Sequence, residues 1–137
     1  MIRRWWEGRG RLPDELRGQL EAEGVVVLQE RLRASIIFRG YLVPGQRPRS
    51  GHQSALASLA ASERRLVVHG TGNTRLEVPR GAGWLRVGLR APDRLTLAYD
   101  AEAVQPNRSG EVELELETPR AEAIHATLTG WMRTPSS

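Results

Sequence analysis

Glu111-Val112-Glu113-Leu114-Glu115-Leu116-Glu117 alternates carboxylate and hydrocarbon without a break, and Thr118-Pro119-Arg120-Ala121 follows it directly. Successive side chains of a strand point to opposite faces, so the stretch reads as a β-strand with Val112, Leu114 and Leu116 buried and four glutamates outside. Thr118 suits a helix N-cap and Pro119 the first helical position. Ala121, Ile124, Leu128 and Met132 then fall on one helical face, and Gly130 suits the stop, predicting a helix over residues 119–129. A strand that runs straight into an amphipathic helix predicts a sheet closed by that helix.

Upstream, the same period of two recurs. Leu85, Val87 and Leu89 align, Ala91-Pro92-Asp93 turns the chain, and Leu95, Leu97 and Tyr99 return, which is a hairpin. Leu66 and Val68, the turn Gly70-Thr71-Gly72-Asn73, and Leu76 and Val78 before Pro79 form another. Residues 55–61 are rich in alanine and leucine, but their place between two turns assigns them to a strand. Residues 44–51 form a loop on their Pro and Gly content. From Val25 onward, Val26, Leu28, Leu32, Ala34, Ile36 and Phe38 share one parity while Gln29, Arg31, Arg33 and Arg39 share the other. Glu30 breaks the inner row, which predicts a bend or bulge in a strand of about 14 residues that serves both sides of a closed barrel.

Ahead of that strand, Pro13, the acidic first turn Asp14-Glu15, the spacing of Leu12, Leu16 and Leu20, and Gly24 predict a helix over residues 13–23. Its single apolar stripe must dock on something. Residues 1–11 read as a cationic arm with Trp5 and Trp6 among Arg3, Arg4, Arg9 and Arg11, and residues 134–137 as a frayed tail. One domain, residues 12–133, is therefore expected: helix 13–23, strands within 25–117 and helix 119–129. Its fold class is mainly β, an antiparallel barrel or bent sheet with helical caps.

The composition agrees. The chain has 137 residues with 39% hydrophobic content and 14 glycines, which suits one ordinary globular core. The absence of cysteine removes disulfides, thiolate metal sites and cysteine nucleophiles. No apolar run reaches the roughly 18 residues of a membrane span, so a cytoplasmic protein is expected. The pI near 10.8 overstates the field, because the formal excess is only +4 and every basic residue is an arginine, which never deprotonates. Residues 1–50 carry ten arginines against six acids, and residues 51–137 carry ten of each, so the whole excess sits at the front.

Ser54-Ala55-Leu56-Ala57-Ser58-Leu59-Ala60-Ala61-Ser62-Glu63-Arg64-Arg65-Leu66-Val67-Val68 resembles the small-x-Leu-x-x-Thr-x-x-Arg-Leu pattern of bacterial domains similar to the pleckstrin-homology (PH) fold and its GRAM relatives, with Ser62 at the position usually held by threonine. Leu76-Glu77-Val78-Pro79, residues 93–100, and Ser109-Gly110-Glu111 through Thr118-Pro119 resemble the later strands and the C-terminal helix of such domains. The resemblance, over about residues 25–129, implies a seven-stranded bent sheet capped by a helix and a binding or scaffolding role rather than catalysis. In such domains basic side chains of the early strands commonly hold anionic head groups. Here Arg31, Arg33 and Arg39 flank a loop bearing Arg47 and Arg49, without the usual lysine-containing pattern.

Little else carries chemistry. His52, His69 and His125 are far apart and form no helical ligand pair, so no metal site and no cofactor are expected. Gly70-Thr71-Gly72 and Gly81-Ala82-Gly83 do not continue into a phosphate-binding fingerprint, and turns explain them. The glutamate row is better explained as a solvated face matched to Arg86, Arg90 and Arg94 across neighbouring strands than as a cation site. The remaining candidates are the acid-free stretch of Arg31, Arg33, Arg39, Arg47 and Arg49 as an anion site, and Trp5 and Trp6 as interfacial or packing aromatics. The expected function is a non-catalytic binding module with a protein partner. Peripheral attachment to an anionic membrane through the arginines is the first alternative, and a carrier or enzyme using the barrel interior the last. Nucleic acid is not expected as a partner.

Overall fold

A computed structural model describes residues 12–42, 45, 49–70 and 75–133. Trp5, Trp6, Arg47 and the terminal tail lie outside the described residues. Helix α1 (Asp14–Glu23) leads into β1 (Val25–Leu42), β2 (Arg49–Ser62), β3 (Arg65–Gly70), β4 (Arg75–Pro79), β5 (Arg86–Ala91), β6 (Arg94–Asp100) and β7 (Ser109–Glu117), and α2 (Ala121–Arg133) closes the chain. The seven strands make one antiparallel sheet in the order β4-β3-β2-β1-β7-β6-β5, curled into a half-barrel. The sheet stays open between β4 and β5, so of the expected barrel or bent sheet it is the bent sheet that forms, with two edges. No helix among the described residues is long and apolar enough to cross a membrane.

The strand β1 is the spine. It is 18 residues long, not about 14 as its sequence suggests, and pairs with β2 on one side and β7 on the other. The bulge that Glu30 predicts is present between Gln29 and Leu32, with Arg31 at φ 60°. A left-handed arginine is strained by about 1–3 kcal/mol, which the surrounding packing must hold. The bulge also changes the faces, because an inserted residue shifts the period of two by one. Val27 before it and Leu32, Ala34 and Ile36 after it belong to the main core, whereas Leu28 packs on the opposite face. Leu28 and Leu32, which share one parity in the sequence, thereby come to serve opposite faces. The bulged segment also carries Glu30, whose carboxylate accepts the Leu12 N–H at 2.9 Å and Arg17 at 2.6 Å, fastening the start of α1.

Helices cover both faces of the sheet. On the outer face Leu12, Leu16 and Leu20 pack on Leu28, Ala60 and Val67, which lie in one cross-strand row of β1, β2 and β3. Gly24, at φ 95°, ends α1 in a conformation that favours glycine. On the inner face Ala121, Ile124, Leu128 and Trp131 of α2 join the core of Leu59, Leu66, Val68, Leu95, Leu97 and Leu116. Residues 57–62 are consequently buried on both faces, which explains why this alanine-rich stretch shows continuous apolar content and yet is a strand. Helix α2 does not stop at Gly130. It runs on to Arg133, because the helical glycine costs only about 1 kcal/mol while burial of the Trp131 side chain gains more. Leu89, expected inside, is 40% exposed at the β5 edge.

Candidate functional site

Ser62 and Arg65, at the β2–β3 turn, form a structural junction with the end of α1. The Ser62 hydroxyl accepts the backbone N–H groups of Arg64 and Arg65, both at 3.1 Å, and donates to Glu23 Oε1 at 2.7 Å. Arg65 meets Glu23 at 3.0 Å and Glu77 at 2.7 Å. The Ser62 hydroxyl, and after it the Arg65 guanidinium, hold the Glu23 carboxyl below its ordinary value against the opposing effect of burial. The spacing Ser62-x-x-Arg65 thus closes the β2–β3 turn and fastens the end of α1.

Of the expected arginine site, the side chains of Arg31, Arg33 and Arg39 are described. Arg33 and Arg39 share the outer face, six residues apart, or roughly 20 Å along a strand. Arg39 donates to Glu111 at 3.1 Å and to Glu113 at 3.3 Å. It has therefore joined the glutamate face, which Arg90 and Arg94 complete: Arg90 reaches Glu113 at 2.8 Å and Glu115 at 2.9 Å, and Arg94 reaches Glu115 at 3.2 Å. Arg90 crosses β6 to do so, over a strip kept low by Gly88, where an added Cβ would sit 2.9 Å from Thr96 Oγ1. Arg31 is exposed at the bulge. Arg33 is exposed opposite Leu56 and Glu117. Arg49 stands opposite Tyr41 in register. Arg47 lies outside the described residues. His52, His69 and His125 remain apart on β2, β3 and α2.

A different constellation forms at the end of the half-barrel away from the β2–β3 turn. Phe38, Val112 and Tyr99 make one cross-strand row on the inner face. The Phe38 and Tyr41 rings meet at 5.1 Å, and the Trp84 and Tyr99 rings at 6.0 Å in an edge-on contact. Phe38, Trp84 and Tyr99 are half-buried. Burial pushes the Tyr99 hydroxyl up to about 12, with Tyr41 adding to the effect. Arg108, in the connection between β6 and β7, lays its guanidinium 5.7 Å from the Tyr41 ring centre and donates to the Tyr41 hydroxyl. Its Nε–H is buried without a hydrogen-bond partner, and it makes no ion pair among the described residues. Close main-chain approach shapes this corner: a Cβ on Gly110 would lie 2.5 Å from the Gly40 carbonyl oxygen.

Sequence reasoning places Tyr99 on an inward face but does not find Arg108, because the connection that carries it has no periodicity and the ring beneath it comes from a strand 67 residues away. The chain matches no protein-family model, no curated protein and no solved structure.

Proposed function

We propose that this chain is a non-catalytic binding module of the PH-like kind, and that the end of the half-barrel at Arg108 receives a carboxylate-bearing segment of a partner protein. The seven antiparallel strands with a C-terminal helix agree with the architecture that the resemblance implies. The observation that carries the reading is Arg108 itself: a cation over Tyr41 with a buried, unaccepted Nε–H. Arg108 makes no ion pair among the described residues, and a guanidinium matches an incoming carboxylate in a two-point geometry. Phe38, Trp84 and Tyr99 offer apolar surface beside that charge.

Attachment to an anionic membrane through the arginine stretch has less support. Each basic residue near such a surface is worth about 1 kcal/mol, and Arg39 is already engaged by Glu111 and Glu113. The test is calorimetric titration of the chain and of Arg108→Gln with a synthetic Asp/Glu-rich peptide containing one phenylalanine, beside flotation with phosphatidylserine vesicles. Binding of the peptide that Arg108→Gln weakens tenfold or more supports the reading. Equal binding by both chains, or binding to the vesicles alone, overturns it.

A further inference from the structure

A sheet edge has its own binding chemistry, since alternate residues direct both N–H and C=O away from the paired neighbour. The edge strands β4 and β5 are both blunted: β4 carries Glu77 and ends at Pro79, and β5 carries Arg86 and Arg90 and a register shift between Leu89 and Ala91. Strand β2 is different. Along residues 51–56 it pairs with β1 in continuous register, from Gly51 opposite Phe38 to Leu56 opposite Arg33. On its other side β3 reaches only Ala57 to Ala61. Residues 51–56 therefore form a second, internal edge with no strand beside it among the described residues. Its sequence, Gly-His-Gln-Ser-Ala-Leu, has no proline, no acid and no arginine, and residues 51–54 are exposed.

We propose that this edge of β2 takes an extended acidic segment of a partner protein as an added strand. Charge selects the occupant. Residues 31–62 hold five arginines and no acid, and Arg33, exposed opposite Leu56, makes no ion pair among the described residues. A second copy of the chain would set one cationic hairpin against another. Residues 1–11 bring four arginines and a single glutamate, so they are equally mismatched. Main-chain hydrogen bonds would supply affinity and Arg33 the preference for acid. The edge begins at Gly51, opposite Phe38 of the Arg108 end, but its reading rests on main-chain groups of β2 and does not depend on that one.

The experiment uses the full chain and an end-capped Thr-Val-Glu-Val-Glu-Thr-Glu peptide, with affinity measured by titration and amide hydrogen exchange followed residue by residue. The expected result is at least tenfold slower exchange at alternate amides of residues 51–56 on binding. Methylation of alternate peptide nitrogens on the pairing edge, or Arg33→Glu, should weaken binding about tenfold and abolish the added protection at residues 51–56. The proposal is overturned if binding leaves exchange at residues 51–56 unaltered, if those amides are already protected in the free monomer, if a lysine-for-glutamate peptide binds as well, or if sedimentation shows that they are protected only in a dimer.

Discussion

Trp131 donates its indole N–H to the main-chain carbonyl of Ser62 at 2.7 Å, tying the last turn of α2 to the β2–β3 turn across 69 residues of sequence. Arg80 adds to the same corner, with its guanidinium 5.7 Å from the Trp131 ring centre and its Nε–H donated to the Trp131 carbonyl at 3.1 Å. Trp131→Phe keeps most of the hydrocarbon but leaves the Ser62 carbonyl unpaired, so a loss of about 1–2 kcal/mol is expected in urea unfolding. Trp131→Ala should cost about 3–5 kcal/mol. A Trp131→Phe variant as stable as the wild type would show that the hydrogen bond contributes nothing.

The helices clasp the sheet from both sides, and their burial sets the scale of damage. Leu20 on the outer face and Leu128 on the inner face are both at most 2% exposed. Leu128→Asp would place an unpaired ion in the main core and is expected to abolish cooperative melting. Leu20→Ala should cost about 2–5 kcal/mol, because the outer cluster is smaller but closed. Unchanged melting temperatures would refute the two-sided packing.

The glutamate row is outward, but it is not freely solvated. The side chains of Glu113 and Glu115 are 13% and 14% exposed, and each is held by two arginines. Exposed pairs are worth about 0.2–1 kcal/mol, so Glu113→Gln should cost about 1 kcal/mol and the cost should shrink in 1 M salt. Arg90→Ala, which strips both carboxylates of a partner, should exceed either single glutamine variant. A salt-independent loss of several kcal/mol would place these carboxylates in a buried site instead.

Two pH limits follow from the shifted groups. Glu23 is held below its ordinary 4.5, so its contribution is present above that value and is lost as acid titrates it through the lower folded value. Glu23→Gln should flatten the acid limb of a stability-against-pH curve. Tyr99 moves from 10.0 to about 12, so stability is intact below pH 10 and falls as the unfolded chain ionises first. The gap is worth up to about 3 kcal/mol by pH 12. Tyr99→Phe should remove that alkaline loss, and an alkaline limb identical to that of the wild type would contradict the burial of this hydroxyl.

Gly110 and Gly40 test the tight corner near Tyr41. Both have positive φ, 99° and 62°, but only Gly110 lacks room, with the Gly40 carbonyl oxygen 2.5 Å from where a Cβ would lie. Gly40→Ala should cost about 1 kcal/mol, for strain alone. Gly110→Ala should cost at least about 2 kcal/mol more, because main chain must move. Similar losses would mean that the corner relaxes easily.

Residue order alone makes legible whatever depends on neighbours along the chain. The alternation of Glu111 to Glu117 and of Leu95, Leu97 and Tyr99, the leucines of α1 and the cap at Thr118 made the strands, the helices and the mainly β class legible, because period and capping are local. Glu30 even marked the bulge. The sequence could not show which face each side of that bulge serves, since the answer rests on α1 covering one face and α2 the other. It could not show that Arg39 belongs to Glu111 and Glu113, which lie on a strand 72 and 74 residues away. The continuation of α2 past Gly130, the placing of Arg108 over Tyr41 and the open edge of β2 were likewise decided only when distant segments met. Each depends on burial or pairing between parts of the chain that no local pattern connects.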